Sequence, residues 1–164
     1  MKKGISPLIS FVLYTAITMM AISLIVSVGF PYLEKIRDSI AIKQAQDFLG
    51  VFDSVISEVA LSGENSKVPV TLRFERGKYI FSDDQNELRF KIETDSDIIS
   101  PGASARLGPL RLEADENASY VILKYNTTDL ILAGYNKTLF PGIHKLIVRN
   151  LGVENNQLII EVNS

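Results

Sequence analysis

Few side chains in this sequence are of the types that catalyse reactions, and their spacing matches no enzyme motif. There is no cysteine, which excludes a thiol nucleophile, a disulfide and a cysteine-based metal site. His144 is the only histidine and alternates with Leu146 and Val148 in a predicted strand, so we interpret its ring as a packed or edge side chain. No G-x-S-x-G, Walker or H-E-x-x-H pattern occurs. We therefore expect no catalytic residue, no cofactor and no enzymatic activity.

Carboxylates are the remaining candidates for a metal site. Glu93, Asp95 and Asp97 are close in sequence, and hard divalent cations prefer oxygen ligands. The spacing lacks the glycine and the terminal glutamate of an EF-hand loop, so a solvated turn is the favoured interpretation. Asp83 and Asp84 are interpreted in the same way, and no metal site is predicted.

Three candidate N-glycosylation acceptors fall within 22 residues of one another. Asn117, Asn126 and Asn136 each begin an N-x-S/T triplet. Such a cluster is typical of an extracellular domain, although a polar, loop-rich stretch would also contain these residue types. Net charge is −2, so the sequence has no basic excess to favour nucleic-acid binding.

The N-terminal 33 residues carry the strongest pattern. Residues 5–33 contain no charge and follow the short tip Met1-Lys2-Lys3-Gly4. As a helix this run spans about 40 Å, which exceeds the roughly 30 Å hydrocarbon core of a bilayer. Lysines before the run favour a cytoplasmic N-terminus, so the rest of the chain is predicted to be outside.

The boundary between tip and helix is well marked. Ser6 suits the N-cap and Pro7 the first helical position, where its missing N–H has no cost. The charged tip and Gly4 therefore stay outside the helix and remain accessible to a protease.

The stretch from Lys2 to Ile9, KKGISPLI, resembles the class III signal peptide of archaeal type IV pilins. The resemblance covers about the first 30 residues. It implies that a prepilin peptidase cuts between Gly4 and Ile5 on the cytoplasmic side, and that the apolar helix is retained and packs into a filament core. Bacterial members carry a glutamate five residues past the cut, where this chain has Ile9; archaeal members commonly lack it.

Two other interpretations of the N-terminus remain open. A conventional secretory signal has an apolar stretch of 7–15 residues and a small-residue cleavage site. Here the stretch is about twice as long and ends in Phe30-Pro31-Tyr32. A plain transmembrane anchor is the second interpretation.

Small residues recur in the apolar run at a spacing that permits close helix packing. The predicted helix-packing residues are Ser6 with Ser10 and Ser23 with Ser27. Thr15 and Thr18 add hydroxyls that could bond to a neighbouring helix.

The remainder of the chain is predicted to form an amphipathic helix followed by a β domain. Gly29 and Pro31 are expected to bend the helix, which should resume at Glu34. Its predicted apolar face consists of Ala41, Ala45, Phe48, Leu49, Phe52, Val55, Ile56 and Val59. Gly63 is the predicted end of the helix.

Alternation of apolar and polar residues predicts β-strands from residue 68 to residue 163. Residues 72–93 are expected to form a meander with turns at Gly77 and at 82–86. Further strands are predicted at 106–113, 120–125, 130–133, 143–149 and 157–162, separated by turns at Pro101-Gly102, Gly134, Pro141-Gly142 and Gly152.

The predicted fold class is α+β, with a long N-terminal helix packed on a C-terminal antiparallel β-sheet or sandwich domain. The predicted divisions are a signal tip (1–4), a transmembrane or filament-core helix (5–33), its amphipathic continuation (34–62) and an extracellular β domain (66–164). The resemblance implies a membrane precursor that assembles with other copies of itself into a helical surface filament, through prepilin peptidase and an assembly machinery with a separate ATPase. The alternative is a membrane-anchored β-domain protein that binds a surface-layer or archaeal motor partner.

Overall fold

The computed structural model describes residues 7–94, 100, 102–125, 130–133 and 136–163. The chain divides into two compact units, Met1–Arg37 and Asp38–Ser164. The fold is α+β, as predicted, with helix α1 (Pro7–Leu61) preceding a set of mainly antiparallel strands.

Helix α1 continues through Pro31 without interruption. The predicted break before Glu34 is therefore wrong. Proline removes one N–H donor, here the one that would bond to the carbonyl of Ser27, but its fixed φ is compatible with a helix. The intact hydrogen bonds on both sides of this position are sufficient to carry a helix of 55 residues past one missing bond.

Ten strands lie in the described part of the chain. They are β1 (Lys67–Phe74), β2 (Lys78–Ser82), β3 (Glu87–Glu93), β4 (Ser104–Leu107), β5 (Leu110–Asp115), β6 (Ala118–Lys124), β7 (Leu130–Ala133), β8 (Lys137–Leu139), β9 (Gly142–Glu154) and β10 (Gln157–Asn163).

The strands form two sheets. The four-stranded sheet has the order β1-β9-β10-β7, and the six-stranded sheet has the order β4-β5-β6-β3-β2-β8. Among the described strands, each pairing is antiparallel except that of β10 with β7, which is parallel. The prediction of an antiparallel domain therefore holds for all but this one pair.

The apolar face predicted for the second half of α1 is confirmed. Ala41, Ala45, Leu49, Phe52, Ile56 and Val59 are buried, and Phe48 and Val55 are partly buried against the same core. The inner faces of both sheets complete this core. Val70, Leu72 and Phe74 come from β1, and Leu88, Phe90 and Ile92 come from β3.

The aromatic side chains connect α1 to both sheets. Tyr79 makes edge contacts with Phe48 of α1 and with Phe74 of β1, at ring-centroid distances of 5.3 and 4.9 Å. Phe52 packs edge-on against Phe81 at 6.1 Å. Aromatic pairs in this geometry add stabilisation beyond the apolar area that they bury, so they fix α1 in register on the sheets.

The end of α1 is fixed by strand β9. Gly63 has a φ of +89° and follows the last helical turn, as predicted. The buried Asn150 side chain donates from Nδ2 to the carbonyl of Val59 at 3.1 Å, and Ser66 Oγ donates to the same oxygen at 2.9 Å. The terminal carbonyls, which lack partners within the helix, are thus bonded by side chains from outside it.

Several strand predictions are wrong for identifiable reasons. Residues 106–113 form two strands, β4 and β5, because Gly108 has a φ of +60° and turns the chain. Residues 72–93 do not form a meander, because β1 pairs with β9 in one sheet while β2 pairs with β3 in the other. Strand β8 was not predicted.

The turn expected at Gly152 is also misplaced. Gly152 lies at an irregularity within β9, where the register with β10 shifts, and it has a φ of +99°. The turn itself is Asn155-Asn156, with φ values of 50° and 66°. Two positive φ values are the signature of a type I′ hairpin.

Candidate functional site

The apolar segment of α1 (Pro7–Leu33) is exposed along its whole length within the chain. It is long and apolar enough to cross a membrane, and its most apolar stretch has no buried residue. Phe11, Met20 and Ile25 are about 70% exposed. A contiguous exposed apolar surface of this size marks a site that contacts lipid or other protein, so the segment is the principal candidate for an interaction site.

The hydroxyl groups of the apolar segment are bonded within the helix. Thr15 Oγ1 donates to the carbonyl of Phe11 at 2.9 Å, and Thr18 Oγ1 donates to that of Tyr14 at 2.8 Å. Ser27 Oγ donates to the carbonyl of Leu24 at 3.2 Å. Bonds of this type satisfy the hydroxyls in lipid.

The helix-packing serines are only partly within the described residues. Ser10, Ser23 and Ser27 lie on exposed turns of α1, and Ser6 lies outside the described residues. Their packing role stays a prediction. Gly4 and Ile5, the predicted cleavage positions, also lie outside the described residues, and α1 is described from Pro7 onward.

The second unit begins at Asp38, a buried acidic residue that the sequence pattern did not reveal. Thr94 Oγ1 donates to Asp38 Oδ2 at 2.6 Å. Arg76 Nη1 lies 2.9 Å from Asp38 Oδ1, an ion pair whose angle falls outside hydrogen-bond geometry. Asp38 is 4% exposed, so these partners replace the water that an exposed carboxylate would bind. They bind the start of the amphipathic half of α1 to the end of β3 and to the segment between β1 and β2.

A second polar contact joins α1 to the sheets. Tyr125 donates its phenol to Asp53 Oδ1 at 2.7 Å. Burial raises the pKa of Tyr125, and the bond to the Asp53 carboxylate and its negative charge raise it further. Asp53 lies half-buried at the edge of the core.

His144 is a packed histidine, as expected from its place in β9. Its ring lies 5.7 Å from that of Phe74, and Nε2 is 2.7 Å from the carbonyl oxygen of Phe140. These contacts fix the strand start and leave the imidazole with a structural partner.

The acidic candidates do not assemble into a metal site within the described part of the chain. Glu93 Oε1 lies 3.4 Å from Lys78 Nζ and 3.5 Å from Lys91 Nζ. The hydrogen bond and charge of Lys78, followed by those of Lys91, lower the pKa of Glu93. Asp95 and Asp97 lie outside the described residues. No group of three or more His, Cys, Asp or Glu side chains suited to a metal is found among the residues that are described.

The three glycosylation triplets have different structural settings. Asn117 is exposed in the two-residue turn between β5 and β6, but Ser119 of its triplet is buried. Asn136 is exposed just before β8. Asn126 lies outside the described residues.

Comparison of the chain with protein-family models, with curated proteins and with solved structures finds no match.

Proposed function

We propose that this chain is a type IV pilin-like structural subunit of an archaeal cell-surface filament. It would be made as a membrane precursor, cut after Gly4 by a prepilin peptidase and assembled through residues 5–33. The observation that carries the proposal is an exposed, uncharged helical segment placed directly after a Lys-Lys-Gly tip.

The energetics of this segment favour a surrounding of lipid or of other helices. Burying one large apolar side chain is favourable by about 1.5–3 kcal/mol relative to water. More than a dozen such side chains between Leu8 and Leu33 are exposed within the chain. A membrane meets this requirement in the precursor, and the same segment of neighbouring copies meets it in a filament.

The core of the second unit is independent of the apolar segment. Its buried residues all lie at or after Asp38. Transfer of the apolar segment from lipid to a helix bundle therefore leaves the β core unchanged, which suits a subunit that moves from membrane to filament. The proposed partners are other copies of this chain, the prepilin peptidase and an assembly machinery whose ATPase is a separate protein.

This role is structural and needs no cofactor. The chain would be located in the cell membrane as a precursor and in an extracellular filament after assembly. His144, the single histidine, packs beside Phe74 and contacts the carbonyl oxygen of Phe140, which agrees with a subunit that works by packing.

The first test is the mature N-terminus of protein from the native cell surface, measured by mass spectrometry. The proposal expects a chain that begins at Ile5. A chain that retains Met1, or that begins at Lys2 after removal of the initiator methionine, would contradict it and favour the anchored partner-binding protein.

A variant sharpens this test. Gly4→Asp places a charged side chain at the position before the cut, and we expect it to abolish processing. Gly63→Asp is the matched control, since Gly63 lies in an exposed turn with open space where a Cβ would be. Processing of both variants at the native rate would contradict the assignment of the cleavage position.

A further inference from the structure

One end of the second unit carries a cleft in which cations surround an exposed aromatic side chain. The cleft has a volume of about 360 Å³. Its charged lining consists of the cationic Arg76, Lys78 and Lys91 and the acidic Glu75 and Glu93. Phe140 also lines it. Phe140 is 64% exposed, although large aromatic side chains are usually covered.

Further apolar and cationic groups lie beside the cleft, on the outer face of the four-stranded sheet. Ile143 is 65% exposed at the start of β9 and pairs with Arg73 of β1. Lys145 follows two residues later on the same face and pairs with Thr71. Both Arg73 and Lys145 are exposed. Exposed Phe and Ile next to Lys and Arg is a combination typical of protein surfaces that contact the interfacial region of a bilayer.

The sequence links the cleft to the apolar segment through Asp38. Arg76 lines the cleft and is the ion-pair partner of Asp38. Asp38 follows Leu33, the last residue of the uncharged run, by five positions. A chain of that length spans at most about 18 Å. In a precursor anchored through residues 5–33, covalent connection alone keeps Asp38 close to the bilayer surface.

We propose that this cleft, with Phe140 and Ile143 at its edge, binds the anionic headgroups of the membrane in which the precursor is anchored. The inference rests on the membrane-anchored precursor of the proposed function. Within the cleft the cations are matched by carboxylates, since Arg76 pairs with Asp38 and Lys78 and Lys91 face Glu93 and Glu75. The exposed Arg73 and Lys145 beside it raise the local net charge to +2, which is available to a phosphate. Contact with the membrane holds the second unit on the bilayer until the subunit is extracted.

The sequence supplies a site-specific reporter, because it contains no tryptophan. Phe140→Trp in the full-length chain introduces a single tryptophan at the cleft edge, which can be excited without exciting the six tyrosines. Val153→Trp is the matched control, since Val153 is 71% exposed near the far end of β9, a strand about 40 Å long. Both variants are reconstituted into vesicles of phosphatidylcholine alone and of phosphatidylcholine mixed with phosphatidylglycerol.

In the anionic vesicles we expect the emission of F140W to shift to the blue and to be quenched by brominated lipid. The emission of V153W should do neither. Lys78→Gln with Lys91→Gln, added to F140W, should lower the membrane-contacting population, about fivefold for each cation removed. Lys67→Gln with Lys124→Gln removes two exposed lysines that lie outside the cleft and should leave the signal unchanged.

Three results would overturn the inference. Identical emission of F140W in both vesicle types excludes a headgroup site, and an equal response from V153W excludes a specific one. A blue shift produced by inorganic phosphate in neutral vesicles would assign the cleft to free phosphate instead. Flotation of the vesicles separates a failure of the headgroup site from a failure of the proposed function. A chain that does not float with the vesicles contradicts the membrane anchor itself. A chain that floats but shows no blue shift contradicts only the headgroup site.

Discussion

Asn150 Nδ2 donates a hydrogen bond to the carbonyl oxygen of Val59 at 3.1 Å, across 91 residues of sequence. The same side chain accepts a bond from the Gly152 N–H at 2.7 Å. A strand residue thus caps the end of α1 and also holds the irregularity in β9. Because Asn150 is 2% exposed, water cannot replace either bond.

Asn150→Ala should therefore destabilise the second unit by about 2–3 kcal/mol, since it leaves buried polar groups without partners. The measurement is the free energy of unfolding of the full-length chain, monitored by a β-sheet signal in denaturant. Asn163→Ala is the control, because the Asn163 side chain is exposed and its hydrogen bond goes to the neighbouring Glu161 side chain. Equal effects of the two substitutions would show that the cap contributes nothing.

The sequence predicted those helices and strands in which the periodic apolar positions are the buried positions of the fold. The apolar face of α1 and the strands around Val70 and Phe90 are determined by local alternation of burial, so pattern alone locates them. Asn150 and Asp38 could not be found in this way. Their roles depend on partners far away in sequence, and neither occupies a position that a helical or strand pattern marks as functional.

The order of the strands in the sheets could not be predicted from the sequence for a related reason. Strand β7 pairs in parallel with β10. The Asn86 side chain fixes the position of β7, because its Nδ2 donates to the carbonyl of Leu130 and its Oδ1 accepts from the N–H of Leu132. Asn86 is 1% exposed and lies in the turn before β3. A turn signal at this position was recognised, but nothing local shows that its side chain clamps a strand of the other sheet.

The contact between Asp38 and Thr94 should make these residues energetically coupled. Asp38→Asn, Thr94→Val and the double variant form a double-mutant cycle on the unfolding free energy. We expect a coupling of about 1–3 kcal/mol, because the 2.6 Å bond is buried and one partner is charged.

The comparison for that cycle is the exposed pair of Arg111 and Glu113, whose side chains are 60% and 34% exposed. Solvent screens this pair, so its coupling should be below about 1 kcal/mol. A coupling for Asp38 and Thr94 no larger than that of the exposed pair would contradict a role for Asp38 in fixing the start of the second unit.

Gly77 should tolerate no side chain. Its φ is +79°, and an added Cβ would lie 2.9 Å from the carbonyl oxygen of Lys91 and in collision with the ring of Phe90. Gly77→Ala should cost about 2–4 kcal/mol of unfolding free energy, since backbone strain and overpacking combine.

Gly63→Ala separates the cost of backbone strain from the cost of overpacking. Gly63 also has a positive φ, of +89°, but nothing lies within 4 Å of the added Cβ. Its substitution should cost about 1 kcal/mol, from backbone strain alone. If thermal unfolding shows equal losses for the two variants, the collision with Phe90 is relieved without cost.

The stability of the second unit should fall at alkaline pH. Burial is the principal cause that raises the pKa of Tyr79 and of Tyr125 above the ordinary value of 10.0. Between that value and the raised one, the folded protein keeps the phenolic protons that the unfolded chain releases. The stabilisation is therefore fully present below pH 10 and is lost as the pH rises above it.

Tyrosinate absorbance recorded against pH measures this directly. Of the six tyrosines, Tyr79 and Tyr125 should ionise only when circular dichroism shows that the β-sheets unfold. Tyr125→Phe should weaken the alkaline dependence while costing about 1 kcal/mol near neutral pH, because the bond to Asp53 is lost. Ionisation of all six phenols before any loss of β-sheet signal would contradict the burial of both side chains.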